Sequence, residues 1–144
     1  MTILQGQTTA FKANILSGVE NFTLSSPYVY KVALYTSNAN LTNSTATYAS
    51  TTNEIVGTGY TTGGNTLTIS NAPTQDTTNN VAYISFSNAV WSPATFTCRA
   101  ALIYNSTTGA SVAVLDFGSD KSCSNSFTIT FPTATSTSAI IRIS

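Results

Sequence analysis

From Tyr28 to the end of the chain, apolar and polar residues tend to alternate with a period of two, and this constrains the fold more than any other feature. Phe127, Ile129 and Phe131 point one way while Ser126, Thr128 and Thr130 point the other, which requires a strand with one dry and one wet face. Eight segments are predicted as strands: Tyr30–Thr36, Glu54–Tyr60, Thr66–Ser70, Val81–Trp91, Ala94–Tyr104, Ser111–Phe117, Ser126–Phe131 and Ala139–Ile143. Turn formers stand between them at Gly63–Asn65, Asn71–Pro73, Asn79–Asn80, Ser92–Pro93 and Asn105–Gly109. No helical segment separates two strands, so a parallel crossover has no material and the sheets are predicted antiparallel. A jelly-roll-like antiparallel β-sandwich, another Greek-key sandwich and a closed barrel all accommodate this pattern. The Asn-, Ser- and Thr-rich stretch from Ser37 to Asn53 has Leu41 and Tyr48 as its only sizeable apolar residues. It is expected to be a surface loop with a role in contacts, or an excursion between sheets.

One helix is predicted ahead of the strands. Over Thr8–Gly18, Phe11 and Ile15, followed by Val19, recur every four residues, Thr8 or Thr9 can cap the start, and Gly18 can end it. Its polar face is not basic, so it is expected to lie over the end of a sheet rather than on a membrane. At 144 residues the chain has the length of one ordinary domain. The expectation is a single all-β domain over 1–144, with an N-terminal arm and short helix at 1–27 and the sandwich at 28–144.

Charge is unusually scarce: Asp, Glu, Lys and Arg are 7% of residues, against roughly a quarter in an average domain. Solubility must come from Thr, Ser and Asn, whose surfaces neighbours can cover without stranding ions. The five basic residues, Lys12, Lys31, Arg99, Lys121 and Arg142, are dispersed and the net charge is zero, so no nucleic-acid partner is expected. Met1–Gln5 has neither the basic region nor the apolar run of a secretory signal, and no stretch is long enough to span a bilayer. These features predict an intracellularly made, soluble protein with no membrane partner. Cys98 falls on the apolar face of a predicted strand and Cys123 in a polar loop, so a small buried thiol is expected rather than a disulfide.

The chain has no histidine, which removes Ser-His-Asp and Cys-His nucleophile systems and every metal site containing histidine. The carboxylates are Glu20, Glu54, Asp76, Asp116 and Asp120. Glu54 and Asp116, on predicted strands, are the pair to examine for a two-carboxylate glycosidase site, but five dispersed acids fit solvated charges better. No catalytic, cofactor-binding or metal-ligating residue is assigned, and no enzymatic activity is expected. Asp116–Asp120 lacks the spacing of a calcium loop and is expected to be a strand end followed by a turn. Gly57–Gly59 and Gly63–Gly64 precede no helix, so they form no phosphate cradle. In the hairpin around Asn105–Ala110, Tyr104 faces Ser111, and counting outward places Arg99 opposite Asp116 as a cross-strand ion pair. Trp91, Tyr48 and Tyr60 form a candidate sugar-stacking platform, although Trp91 shares the register of Tyr83 and fits a core-edge position better. The sequons at Asn21, Asn40, Asn43 and Asn105 are what chance supplies in so polar a composition.

Five segments, Val32–Thr36, Glu54–Tyr60, Ala100–Tyr104, Ala113–Gly118 and Ala139–Ile143, taken in that order, resemble small virion structural proteins of tailed bacteriophages. The likeness covers the chain from about Tyr30 onward and is closest to capsid cement, or decoration, proteins. It implies a β-sandwich or jelly-roll module that dimerises or trimerises on the outer surface of the head. There it would clamp neighbouring major capsid subunits after synthesis in the host cytoplasm. It carries no catalytic residues and no cofactor, and it assigns no capsid-contact positions. A tail- or neck-associated adhesion module that binds a cell-surface glycan is the alternative, since it shares the β-rich, uncharged, aromatic-bearing character.

Overall fold

The alternation folds into two packed antiparallel layers. In the computed structural model, which describes residues 1–144, the first layer is a five-stranded sheet. Its strands are β1 (Gly6–Gln7), β2 (Tyr30–Tyr35), β3 (Asn65–Thr66), β7 (Phe96–Asn105) and β8 (Ser111–Cys123), in the order β1-β8-β7-β2-β3. The second layer joins a three-stranded sheet, ordered β10 (Ile141–Ile143), β5 (Val81–Phe86), β4 (Ile69–Asp76), with the pair β6 (Ala89–Trp91) and β9 (Phe127–Ile129). Every strand pairing is antiparallel. The chain is an all-β sandwich with one short helix.

That helix, α1 (Thr9–Leu16), follows its sequence signals. The Thr8 hydroxyl accepts the Phe11 amide, and Gly18, at φ 71°, closes the C-terminus with Val19 N–H donating to Asn14 C=O. Phe11 is buried against the main core, whereas Val19 lies beyond the helix.

Between the layers, Val32 and Leu34 of β2 and Ala101 and Ile103 of β7 meet Phe86, Trp91, Ile129, Phe131 and Ile141. Phe127, Ile129 and Phe131 face this core and Ser126, Thr128 and Thr130 are exposed, as the alternation requires. The opposite face of the five-stranded sheet is also dry. Ala33, Tyr35, Ala100, Leu102, Tyr104 and Val114 form a second cluster there, and Ala39 and Leu41 complete it. The stretch Ser37–Asn53 is thus a roof over the sheet. Leu41 N–H donates to Thr2 C=O, Ser111 N–H to Ala46 C=O and Tyr48 N–H to Gly109 C=O, which tethers the roof to the arm and the β7–β8 hairpin. Its polar composition follows from this position, because only two small patches face inward and the rest meets water.

Several strand assignments need correction. Glu54–Tyr60 is not a strand: it crosses the sheet end with isolated bridges at Glu54–Tyr35 and Thr58–Thr95. Val81–Trp91 divides into β5 and β6, which belong to different sheets, with Ser87 and Asn88 making the switch. Asn71–Pro73 is not a turn between strands but an irregularity inside β4, flanked by register shifts. Pro73 fits there because β4 is an edge strand, where no ladder donor is required. Strand β8 runs to Cys123, so that residue ends a strand rather than lying in a loop. Both cysteines are free, and Cys98 is fully buried in the core.

Candidate functional site

The densest polar cluster gathers on Glu54. Oε1 accepts hydrogen bonds from the Tyr60 hydroxyl (2.5 Å) and the Gly63 amide (2.6 Å), and Oε2 accepts one from the Tyr48 hydroxyl (2.5 Å). The Tyr60 oxygen in turn accepts the Leu34 amide of β2. Tyr48 lies flat on Tyr104, with ring centroids 4.4 Å apart and 9° between planes, and the Tyr104 hydroxyl donates to Gly63 C=O. The Tyr35 hydroxyl shares a 2.7 Å bond with Thr51. One carboxylate therefore ties together the roof, the crossing segment, the Gly63–Gly64 turn and, through Tyr60, the central sheet.

Two glycines make the approach possible. A Cβ on Gly64, at φ 75°, would overlap the Val32 carbonyl, and one on Gly59, at φ 79°, would overlap the Pro93 carbonyl. The doublets considered as a phosphate cradle thus serve close backbone passage over β2 and the start of β7.

Chemically, the cluster is closed. Burial raises Tyr48, Tyr60 and Tyr104 above the ordinary phenol range, and the hydrogen bonds and negative charge of Glu54 add to this for Tyr48 and Tyr60. A phenol held neutral and bonded to a carboxylate is a clamp, not an activated nucleophile.

A second network was not legible in the sequence. Glu20 Oε2 accepts from the Tyr30 hydroxyl (2.7 Å) and from Asn105 Nδ2 (3.2 Å), while its Oε1 is buried with no partner. Burial and the bond to Glu20 push the Tyr30 phenol up. The available signal was Tyr30 itself: a tyrosine on the inward face of a strand needs a partner for its hydroxyl. Asn105, a sequon in the sequence, is wholly buried, with Oδ1 accepting the Thr107 and Thr108 amides of the hairpin turn.

No family model, curated protein or solved structure matches this chain.

Glu54 and Asp116, the carboxylates considered as a pair, serve separate networks. Asp116 Oδ1 accepts from the Gly118 amide (2.8 Å) and from Arg99 Nε (3.0 Å), and these bonds, the Gly118 amide foremost, hold its carboxyl below the usual range. The ion pair is present, but the register is corrected. Val112 is an extra residue between the pairs Tyr104–Ser111 and Ile103–Ala113, so Asp116 faces Ala100 and meets Arg99 diagonally. Asp116–Asp120 is a bulge inside β8 rather than a strand end, because Phe117–Asp120 all lie opposite Arg99. Asp76 caps its own turn, accepting from the Thr78 and Asn79 amides and from Asn79 Nδ2.

The aromatic trio does not form an open platform. Trp91 is 2% exposed within the core, and the hydroxyls of Tyr48 and Tyr60 are both committed to Glu54. No group of three or more acidic or cysteine side chains converges as a metal site, and no helix is long and apolar enough to cross a membrane.

Proposed function

We propose that this chain is a non-enzymatic structural protein of a phage virion, a cement or decoration protein on the outer surface of the head that clamps neighbouring major capsid subunits. The observation that carries the reading is where the charge goes. Glu20, Glu54, Asp76 and Asp116 all accept hydrogen bonds from within the fold, and apart from the dispersed Lys12, Asp120, Lys121 and Arg142 the exterior is left largely to hydroxyls and amides. Neighbours can cover such an exterior with little ionic desolvation. The five phage-like segments set the context, and the roofed sheet supplies a rigid body. The mechanism is mechanical: many copies, each burying modest area on two or more subunits, add contacts that resist the outward pressure of packed DNA.

Co-sedimentation with heads that lack the protein tests this. Stoichiometric binding to intact heads is expected. Binding to a cell-surface glycan, with none to heads, would overturn the proposal in favour of the tail- or neck-associated adhesion module. The burial of Trp91 weakens that alternative by removing the stacking face it needs.

A further inference from the structure

Strands β7 and β8 run on beyond the rest of their sheet. Strand β2 reaches only to the pair Tyr35–Ala100, and β1 covers β8 only at Ala113 and Val114. Past the Phe117–Asp120 bulge the two strands rejoin through Cys98–Lys121, Thr97–Ser122 and Phe96–Cys123 as a two-stranded ribbon. Thr97 and Ser122 share a 2.7 Å hydroxyl bond on its wet side, so the next residue on each strand, Cys98 and Cys123, turns to the core. Cys98 is fully buried in the main cluster, and Cys123 packs against that cluster with its Sγ donating to Ala94 C=O at 3.6 Å.

The two thiols are thus diagonal neighbours on one face. Such neighbours have Cα atoms about 7–8 Å apart and a disulfide spans up to about 7 Å, so a shift of roughly 1 Å closes the gap. The ribbon can supply that shift, because neither of its edges is paired to a third strand and an irregular register adjoins it at Cys98–Ala100. The surroundings of the two thiols differ. Cys123 is partly exposed, whereas burial first, then Cys123 and Asp120, push the Cys98 thiol up to about 12 and keep it from reagents in solvent. Burial does not keep it from a disulfide formed on its own neighbour.

We infer that Cys98 and Cys123 are a redox pair that closes to a disulfide when the protein meets a small-molecule disulfide, pinning the far end of β8 to β7. The Cys123 thiolate attacks one sulfur of the small disulfide, forming a mixed disulfide and expelling one thiol. Cys98, as its thiolate, then attacks Cys123 Sγ, breaking the mixed bond and expelling the second thiol. Two protein thiols are oxidised, one small disulfide is reduced, and the two protons pass to the departing thiolates. On the virion reading, the reducing cytoplasm keeps the pair open and release from the cell closes it.

The test is intact-mass spectrometry and non-reducing peptide mapping of the reduced full chain, incubated under native conditions with oxidised glutathione. A single glutathione adduct at Cys123 is expected, decaying to a chain two hydrogens lighter than the reduced one, with Cys98 and Cys123 joined. In Cys98→Ala the adduct should be lost at least about tenfold more slowly, because the intramolecular thiol is gone. Cys123→Ala should show neither adduct nor closure. The wild-type mass change stands without either variant. No reaction at Cys123, a wild-type adduct as persistent as that of Cys98→Ala, closure in urea but not in the native protein, or chains joined to one another through Cys123 would overturn the inference. The measurement needs no capsid, so its failure and the failure of head binding are distinguishable.

Discussion

Raising the pH above 10 is expected to unfold this protein cooperatively, and the burial of its tyrosines sets the scale. Tyr30, Tyr35 and Tyr104 are 2%, 0% and 4% exposed, and burial is the largest cause raising each phenol above its ordinary value near 10, Tyr104 to about 12. Between the unfolded and folded values, the unfolded chain releases three protons that the native chain keeps. The stability of unfolding therefore has a negative slope with pH: the phenol contribution is complete below pH 10 and is lost as pH rises through the folded values. Each phenol contributes about 1.4 kcal/mol per pH unit, so the three together remove about 4 kcal/mol per unit until Tyr104 itself begins to ionise. Tyr48 and Tyr60 shift the same way but are partly exposed, and they are left out of this sum. A domain holding about 5–10 kcal/mol should then unfold between about pH 11 and 13. Phenolate absorbance followed together with the emission of Trp91 reports both events. At least three of the seven tyrosines should ionise only as the buried Trp91 becomes exposed. Seven phenols titrating as one population near pH 10, in a protein with native circular dichroism, would refute the reasoning.

Four further perturbations probe the same architecture. Glu54→Ala leaves two phenols and the Gly63 amide without their acceptor and should cost about 3 kcal/mol in urea titration, with earlier proteolytic nicking of the 37–53 roof. Gly64→Ala places a Cβ against the Val32 carbonyl at a positive φ and should destabilise by at least about 2 kcal/mol by thermal melting, more than the same change at Gly109, where the space is open. Exchanging Arg99 and Asp116 should recover part of the loss of either single change, with a coupling of about 0.2–1 kcal/mol for a partly exposed pair. That coupling is present above the ordinary carboxyl range and lost as pH falls through the lowered Asp116 value. In the native protein a bulky disulfide reagent should label Cys123 alone, because Cys98 is fully buried and its thiol is pushed up to about 12.

The sequence made those elements legible whose side chains obey one local rule. The helix cap at Thr8, the Gly18 stop and the Phe127–Ile129–Phe131 face depend on neighbours a few residues away, so spacing was enough to find them. The Glu54–Tyr60 segment misled because its Ile55, Val56 and Tyr60 are apolar for different reasons. Ile55 enters the core, Val56 is 95% exposed, and Tyr60 reaches Glu54 and Leu34. A period of two cannot separate those roles from a strand. The Arg99–Asp116 pair survived an error in register because an extra residue at Val112 displaces the partner by one position, a shift that a long arginine side chain spans diagonally.

The tyrosine clamp explains why so little charge suffices for this fold. A roof of Asn, Ser and Thr buries few apolar groups of its own, with Ala39 and Leu41 the fully buried ones. Hydrophobic burial alone therefore holds the stretch from Ser37 to Asn53 weakly. Glu54 adds three hydrogen bonds to a charged acceptor, each stronger than a neutral one, and distributes them to Tyr48 in the roof, Tyr60 in the crossing segment and Gly63 in the turn. The aromatic stack of Tyr48 on Tyr104 adds packing to the same point. A solvated surface carboxylate would contribute little of this. Placing one acid where four segments meet fixes the roof without adding a solvated charge there, so the outer surface stays sparse in charge, with Lys12, Asp120, Lys121 and Arg142 dispersed over it, and a sparsely charged surface is what the proposed covering by neighbours requires.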